Sequence, residues 1–307
     1  AWLAVPALAQ AFPARPIKYI CPWPAGGSTD AVIRALADSA GRALGQQVIV
    51  ENRPGAGGML GANELVNARP DGYTLSQLPH GVFRIPHMQK TAFDTLRDFT
   101  PISQLMSAPS VLVVTPGFPA NDVKGLVELA RARPGTLTYA SSGAGGSPHL
   151  AGALLELRAG VRMVHVPYRG ASPALTDIAA GNVHLGFQTA LSALPAMQTG
   201  KLKALAIAAN SRLEQLPNIP TMAEAGFPDF EVSSWNGLLA PARTPAAVIA
   251  RLHAELVRIV GLPDIRECFA AQAAEAVGSS PEQFRDYIAA EIKRWADVAR
   301  SADITLN

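Results

Sequence analysis

Short apolar runs alternate with amphipathic stretches along most of the 307-residue chain. Ile17, Tyr19 and Cys21 stand in a β-branched and aromatic run that reads as a strand, stopped by Pro22 and Pro24. Ala25-Gly26-Gly27 makes a flexible turn, and Ser28, Thr29 or Asp30 can cap a helix over 31–43, where Val32, Ile33, Leu36, Ala37 and Ala40 recur at helical spacing. A strand follows at 48–50, then a glycine-rich loop at 52–61 that feeds a helix to about Ala68. After the turn at 70–72 comes a strand at 73–78, ending at Pro79-His80. A strand pair at 102–106 and 110–115 is split by Ala108-Pro109, a candidate crossing point into a second domain. Beyond it the pattern predicts a helix at 123–133, strands at 137–140, 163–167, 183–187 and 202–208, and helices at 150–157 and up to Ala180. A short helix at 221–225, a long strand at 231–239 that could return the chain to the first domain, and helices at 246–260 and 281–299 complete it, with Trp295 as a core anchor. Such alternation argues for parallel βαβ units, which bind ligands beyond the carboxyl ends of their strands.

One construction occurs twice: a strand, a small-residue loop and a helix N-terminus, first at 16–34 and again at 137–157. Free N–H groups and the helix dipole make such a junction an anion site. The second loop reads Ser141-Ser142-Gly143-Ala144-Gly145-Gly146-Ser147-Pro148-His149. It is not G-x-S-x-G, and Ser147 and His149 lie too near in sequence to form a triad pair alone. His149 has a structural reading too, as a residue at the helix start that hydrogen-bonds the loop. Arg169 could pair with an anion bidentately, or be a solvated surface residue. Gly55, Gly57 and Gly61 invite a dinucleotide reading, but the next strand ends Gln77-Leu78-Pro79-His80, with no carboxylate for a ribose. A tight turn permitting close packing is preferred.

Composition narrows the functions. A hydrophobic share of 49%, a charged share of 16% and a net charge of +2 describe a folded protein without the basic runs of a nucleic-acid binder. No apolar run approaches the ~18–20 residues of a membrane span, so the chain is not expected to span one. Residues 1–9 look like the end of a secretory signal, with Ala7-Leu8-Ala9 fitting the small-x-small rule before Gln10; the basic region that precedes such a segment is missing. Export is inferred. Cys21 and Cys268 read most simply as two inert buried thiols, with a disulfide open to an exported chain. No zinc-spaced cluster occurs, so neither metal nor cofactor is expected.

Seven motifs then carry a family resemblance: P-W-P-A-G-G-S-T-D, V-E-N-R-P-G-A-G-G, P-D-G-Y-T-L, S-S-G-A-G-G-S-P-H-L, V-P-Y-R-G, P-T-M-A-E-A-G-F-P and W-N-G-L-L-A-P. In this order they resemble the periplasmic receptors of tripartite tricarboxylate transporters, the Bug family. The resemblance implies an α/β, two-lobed periplasmic-binding-protein (Venus flytrap) fold. Each lobe would be a mostly parallel sheet flanked by helices, with the ligand cleft between them. Lobe 1 would comprise 10–107 plus 232–307, and lobe 2 108–231. It implies no enzymatic activity, a small carboxylate as ligand, and membrane subunits of a transporter as partners of a periplasmic, monomeric protein in a Gram-negative bacterium. A sensory binding protein and an exported α/β enzyme are the alternatives.

Carried over by position, the resemblance puts Trp23, Ala25, Gly26, Gly27, Ser28, Thr29 and Asp30 against the ligand from lobe 1, with His80 at a variable position. From lobe 2 come Ser141, Ser142, Gly143, Ser147 and His149, the closing Tyr168-Arg169-Gly170 segment, and Gln188. Arg169 replaces a more frequent lysine, and Gln188 stands where an aspartate is common. The missing carboxylate at that rim points to a dicarboxylate or aromatic carboxylate without an amino group.

Overall fold

The computed structural model describes residues 12–26, 28–87, 90–168, 170–271 and 273–304. The signal-like segment 1–9, Gly27, Arg169 and the side chain of Ser28 lie outside the described residues.

The chain opens with β1 (Ile17–Cys21), α1 (Ser28–Leu44), β2 (Val48–Asn52), α2 (Met59–Val66), β3 (Thr74–Pro79) and the short α3 (His80–Arg84), then enters the long β4 (Phe99–Val114). There follow α4 (Val123–Ala132), β5 (Thr138–Ser141), α5 (Ser147–Ala159), β6 (Val164–Pro167), α6 (Ala171–Ala180), β7 (Leu185–Thr189), α7 (Ala190–Gln198) and β8 (Lys203–Ala208). The return is β9 (Ser233–Pro241), α8 (Ala246–Val260), α9 (Pro263–Ala270), β10 (Glu275–Ala276) and α10 (Pro281–Ser301).

Strands β2-β1-β3 are parallel, β9 joins antiparallel beside β3, and the first part of β4 pairs with β9 and β10. In the second lobe β6-β5-β7 are parallel, and the end of β4 lies antiparallel between β7 and β8. Both sheets are covered on both faces. Helices α1, α8 and α9 close one apolar core of lobe 1, while α2, α3 and part of α10 close the other. In lobe 2, α4 and α5 pack on one face, α6 and α7 on the other.

The two strands expected around Pro109 are one continuous strand. Phe99 to Pro109 pairs with β9, and from Ser110 the partners are β7 and β8. The proline falls at the joint between sheets, where its missing N–H removes no needed bond, and the next N–H, on Ser110, donates to the Val232 carbonyl at 2.9 Å. The 221–225 segment is a series of turns instead of the expected helix, with Thr221 bridging to Ile207. Cys21 and Cys268 are both free, and Cys268 is exposed where burial was expected, because it sits on the outer side of α9 from the buried Ile265 and Phe269.

Helix α10 belongs to both lobes, whereas residues 232–307 were expected in lobe 1 alone. Phe284, Ile288 and Ile292 pack in a lobe 1 core, and Trp295, Val298 and Ala299 in a lobe 2 core. Between these halves sits Glu291, whose Oε2 accepts from Arg84 Nη2 at 2.7 Å, Trp235 Nε1 at 3.1 Å and Trp295 Nε1 at 2.9 Å. Arg84 also lies over the Trp295 ring, 4.5 Å from its centroid, a cation–π contact.

Removing one member of a buried ion pair strands the other charge. Glu291→Gln should therefore lower unfolding free energy by about 3–5 kcal/mol, read by urea denaturation; a loss under about 1 kcal/mol, the scale of an exposed pair, would contradict the assigned role. A Cβ at Gly237 in β9 would overlap the Phe284 ring, so Gly237→Ala should cost about 1–3 kcal/mol in the same experiment.

Candidate functional site

The carboxyl ends of β5, β6 and β7 each lead into a helix, α5, α6 and α7, and none of the three has its first turn capped by a side chain. The positions before these helices are Gly146, Gly170 and Thr189. Uncapped N–H groups at the ends of adjacent strands leave donors and positive dipole ends available to an anion. Lobe 1 brings the 23–30 loop, between β1 and α1, and the start of α3.

The lobes meet at Ser147, the first residue of α5. Its Oγ lies 2.6 Å from His80 Nε2 and accepts from Arg84 Nη1 at 2.6 Å. With Arg84 donating, the Ser147 hydroxyl proton is free for His80 Nε2, which requires a neutral imidazole. Burial and the adjacent Arg84 charge both hold the His80 pKa well below its usual value. His80 Nδ1, Arg84 Nε and Gln188 Nε2 are buried without hydrogen-bond partners. Orphaned buried polar atoms are costly and rare, and functional sites are where they are tolerated.

The 23–30 loop is held by Asp30. Its Oδ2 accepts from the Gly26 N–H and Arg34 Nε, each at 2.9 Å, and its Oδ1 from Asn52 Nδ2 at 2.8 Å. Asn52 also donates to the Trp23 carbonyl at 2.9 Å. The bond to Arg34 leads in drawing the Asp30 pKa down to about 2. Asp30 is thus the loop's clamp. Ala25 and Gly26 are exposed, Trp23 and Thr29 half-buried, and Gly26 takes φ +81°, a left-handed conformation that favours glycine.

In lobe 2 the structure separates residues expected to act alike. Ser142 and Gly143 are half-buried on the loop, and Ser147 faces the other lobe. The Ser141 hydroxyl is fully buried, 3.0 Å from the Gly143 carbonyl and 2.7 Å from His165 Nε2. His149 Nδ1 accepts the Gly145 N–H at 3.0 Å. Ser141 and His149 therefore build the loop from beneath, which is the structural reading of His149; the Ser141 hydroxyl and His149 Nδ1 are engaged in the loop itself. Tyr168 donates its hydroxyl to Asp177 Oδ2 at 2.6 Å, which ties it to α6. Gln188 is 1% exposed at the end of β7.

Arg84, Glu291 and His165 were missed. Arg84 interrupts the apolar run Val82-Phe83-Arg84-Ile85, and Glu291 falls on the stripe Phe284, Ile288, Ile292, Trp295 of α10. A charge on a buried face was the signal for both. His165 gave none, since a histidine in a short strand is ordinary. The 55–61 glycines serve packing: a Cβ at Gly58 would meet the Pro79 ring at 2.7 Å, and one at Gly61 would meet Ile20 at 3.3 Å. Among the described residues no group of three or more His, Cys, Asp or Glu could hold a metal ion, and no helix is long and apolar enough to cross a membrane.

Residues 32–304 match the model of the tripartite tricarboxylate transporter family receptor. The chain is 37% identical over 310 residues to protein BugT of Bordetella pertussis (strain Tohama I), covering 100% of this chain and 95% of that protein. Among solved structures it resembles R. palustris Rpa4515 with adipate, at TM-score 0.83 and 32% identity over 96% of this chain and 99% of that one. It also resembles MatC (Rpa3494) from Rhodopseudomonas palustris with bound malate, at TM-score 0.79 and 33% identity over 94% and 99%. The two-lobed periplasmic-binding-protein fold expected from the motifs is the fold observed. From the match across nearly its whole length, the chain belongs to the tripartite tricarboxylate transporter receptor family.

Proposed function

We propose that this protein is an extracytoplasmic receptor that closes its two lobes on a small carboxylate lacking an amino group and delivers it to the membrane subunits of a tripartite transporter. The observation that carries the reading is the meeting of His80 and Arg84 from lobe 1 with Ser147 at the uncapped start of α5 in lobe 2. A carboxylate loses its hydration on burial and needs charge-assisted or multiple hydrogen bonds in return. The helix starts of lobe 2, the exposed backbone of Ala25, and the orphaned polar atoms of His80 and Gln188 supply donors of that kind. Gly27, Ser28 and Arg169 belong to the same proposal on the strength of their motifs.

The ligand class rests on charge. Gln188, the side chain at the end of β7, is neutral, and the Asp30 carboxylate is spent on its own loop. Neither offers an anionic partner to a ligand ammonium. The adipate and malate named with two similar structures are dicarboxylates without an amine, which supports the same class here. Periplasmic residence, a monomeric state and the removal of residues 1–9 as a signal complete the proposal. Closure then works by differential contact: a ligand touching both lobes favours the closed state, and the partner reads that state.

A thermal-shift panel of malate, adipate, benzoate, aspartate and glutamate tests it. A ligand at ~100 times its dissociation constant should add about 2.7 kcal/mol of stability. The deaminated acids are expected to stabilise more than the amino acids; tighter binding of aspartate than malate would overturn the class. Ser147→Phe, which wedges the lobes apart, should weaken the best ligand about tenfold or more, and an unchanged affinity would remove the interlobe contact from the site.

A further inference from the structure

Beneath the 141–147 loop lie two histidines from different elements, His149 on α5 and His165 on β6. Their rings are parallel, with centroids 3.7 Å apart and an interplanar angle of 7°. Each holds one end of the loop: His165 Nε2 meets Ser141 Oγ at 2.7 Å, and His149 Nδ1 accepts the Gly145 N–H at 3.0 Å. The second bond fixes a protonation state. A backbone N–H can only donate, so His149 Nδ1 must be bare and the ring neutral.

We propose that His149 and His165 are positioning residues for the ligand loop, and that together they make ligand retention by this receptor proton-linked. The inference rests on the reading that the 141–147 loop meets the ligand. A proton on His149 Nδ1 would set two N–H groups against each other at Gly145. A second proton on His165 would stack two cations face to face. Tyr139 from β5 covers the pair, with its ring 5.1 Å from His165 and 6.3 Å from His149. On α5 itself Glu156 faces Tyr139 and accepts the Met163 N–H at 2.6 Å; burial pushes its carboxyl up, and Arg162 acts on it in the opposite sense. From β7 and α10 this core receives Leu185, Phe187, Trp295 and Val298, all apolar. At the start of α5, Arg84 is held on Ser147.

Burial holds both imidazoles at about 4, and His149 adds to the effect on His165. A histidine lowered in the intact loop favours that loop fully above its ordinary value, ~6.5. The contribution fades as pH falls from there toward about 4. The loop, and with it the anion site at Gly146 and Ser147, loosens over that window.

Two measurements test this. The first needs no ligand: NMR titration of ring carbons in the histidine-labelled protein, together with the Gly145 amide. Midpoints for His149 and His165 well below 6.5, with the Gly145 amide shifting in step with His149, are expected. Ordinary midpoints, or a Gly145 amide indifferent to His149, would overturn the proposal whatever the ligand is. The second is calorimetry with malate and adipate at pH 7.5 and 4.0, comparing the parent with His149→Asn and His165→Gln, which keep an acceptor or donor in place and do not titrate. The ligands' own protonation and that of Glu156 are common to all three proteins. The parent should lose about twofold more affinity between the two pH values than either variant; equal losses would overturn the linkage. If neither acid binds the parent at pH 7.5, the ligand class fails, while the ring titration still decides the histidine pair.

Discussion

A single buried carboxylate, Glu291, constrains how this molecule is put together. Three donors converge on one of its oxygens, from α3, β9 and its own helix. Two of them are indoles that anchor different cores, Trp235 in lobe 1 and Trp295 in lobe 2. A carboxylate in such a place is tolerable only when every bond is kept, since a half-satisfied buried network is worse than an apolar one. Glu291 thereby fixes α10 as a strap across both lobes, beside the strand crossings at Pro109 and Ser233. It also fixes Arg84, which reaches the opposite lobe at Ser147. The contact between lobes is built outward from the strap.

The candidate site follows from that scaffold and from the direction of the strands. Parallel strands ending side by side deliver their helix starts to one region, and in lobe 2 these starts carry no side-chain cap. The loops that surround them are made rigid from below. Asp30 and Asn52 pin the first loop, and His149, His165 and Ser141 pin the second. Holding donors in place before the ligand arrives removes ordering costs from binding. Several residues of the family motifs accordingly face inward, where they shape the backbone of the loops.

Much of the fold was legible because period and punctuation agree in this chain. The helix over 246–260 is α8 as expected, and the crossing near Pro109 is where the sheets exchange partners. Misses have physical causes. Pro109 looked like a break because a proline denies a ladder bond, yet at a joint between sheets no bond is due. Helix α7, with Pro195 inside it, offers little amphipathic contrast to read. For the candidate site, glycines and hydroxyls mark the loops in the sequence, but not the division of labour within them. Asp30 and Ser141 carry the right chemistry for a ligand contact, and the bonds they make to Asn52 and His165, distant in sequence, show only in the structure. Arg84 and Glu291 lie 207 residues apart, so nothing local could announce that they pair.

The central claim is that a carboxylate is held between the lobes where α5 begins. The most direct measurement is a crystal structure grown with whichever of malate or adipate raises the melting temperature. The account predicts the carboxylate within hydrogen-bond reach of the N–H groups at the start of α5 and of lobe 1 at Ala25 or His80. A carboxylate bound to one lobe alone, or away from both loops, would contradict it.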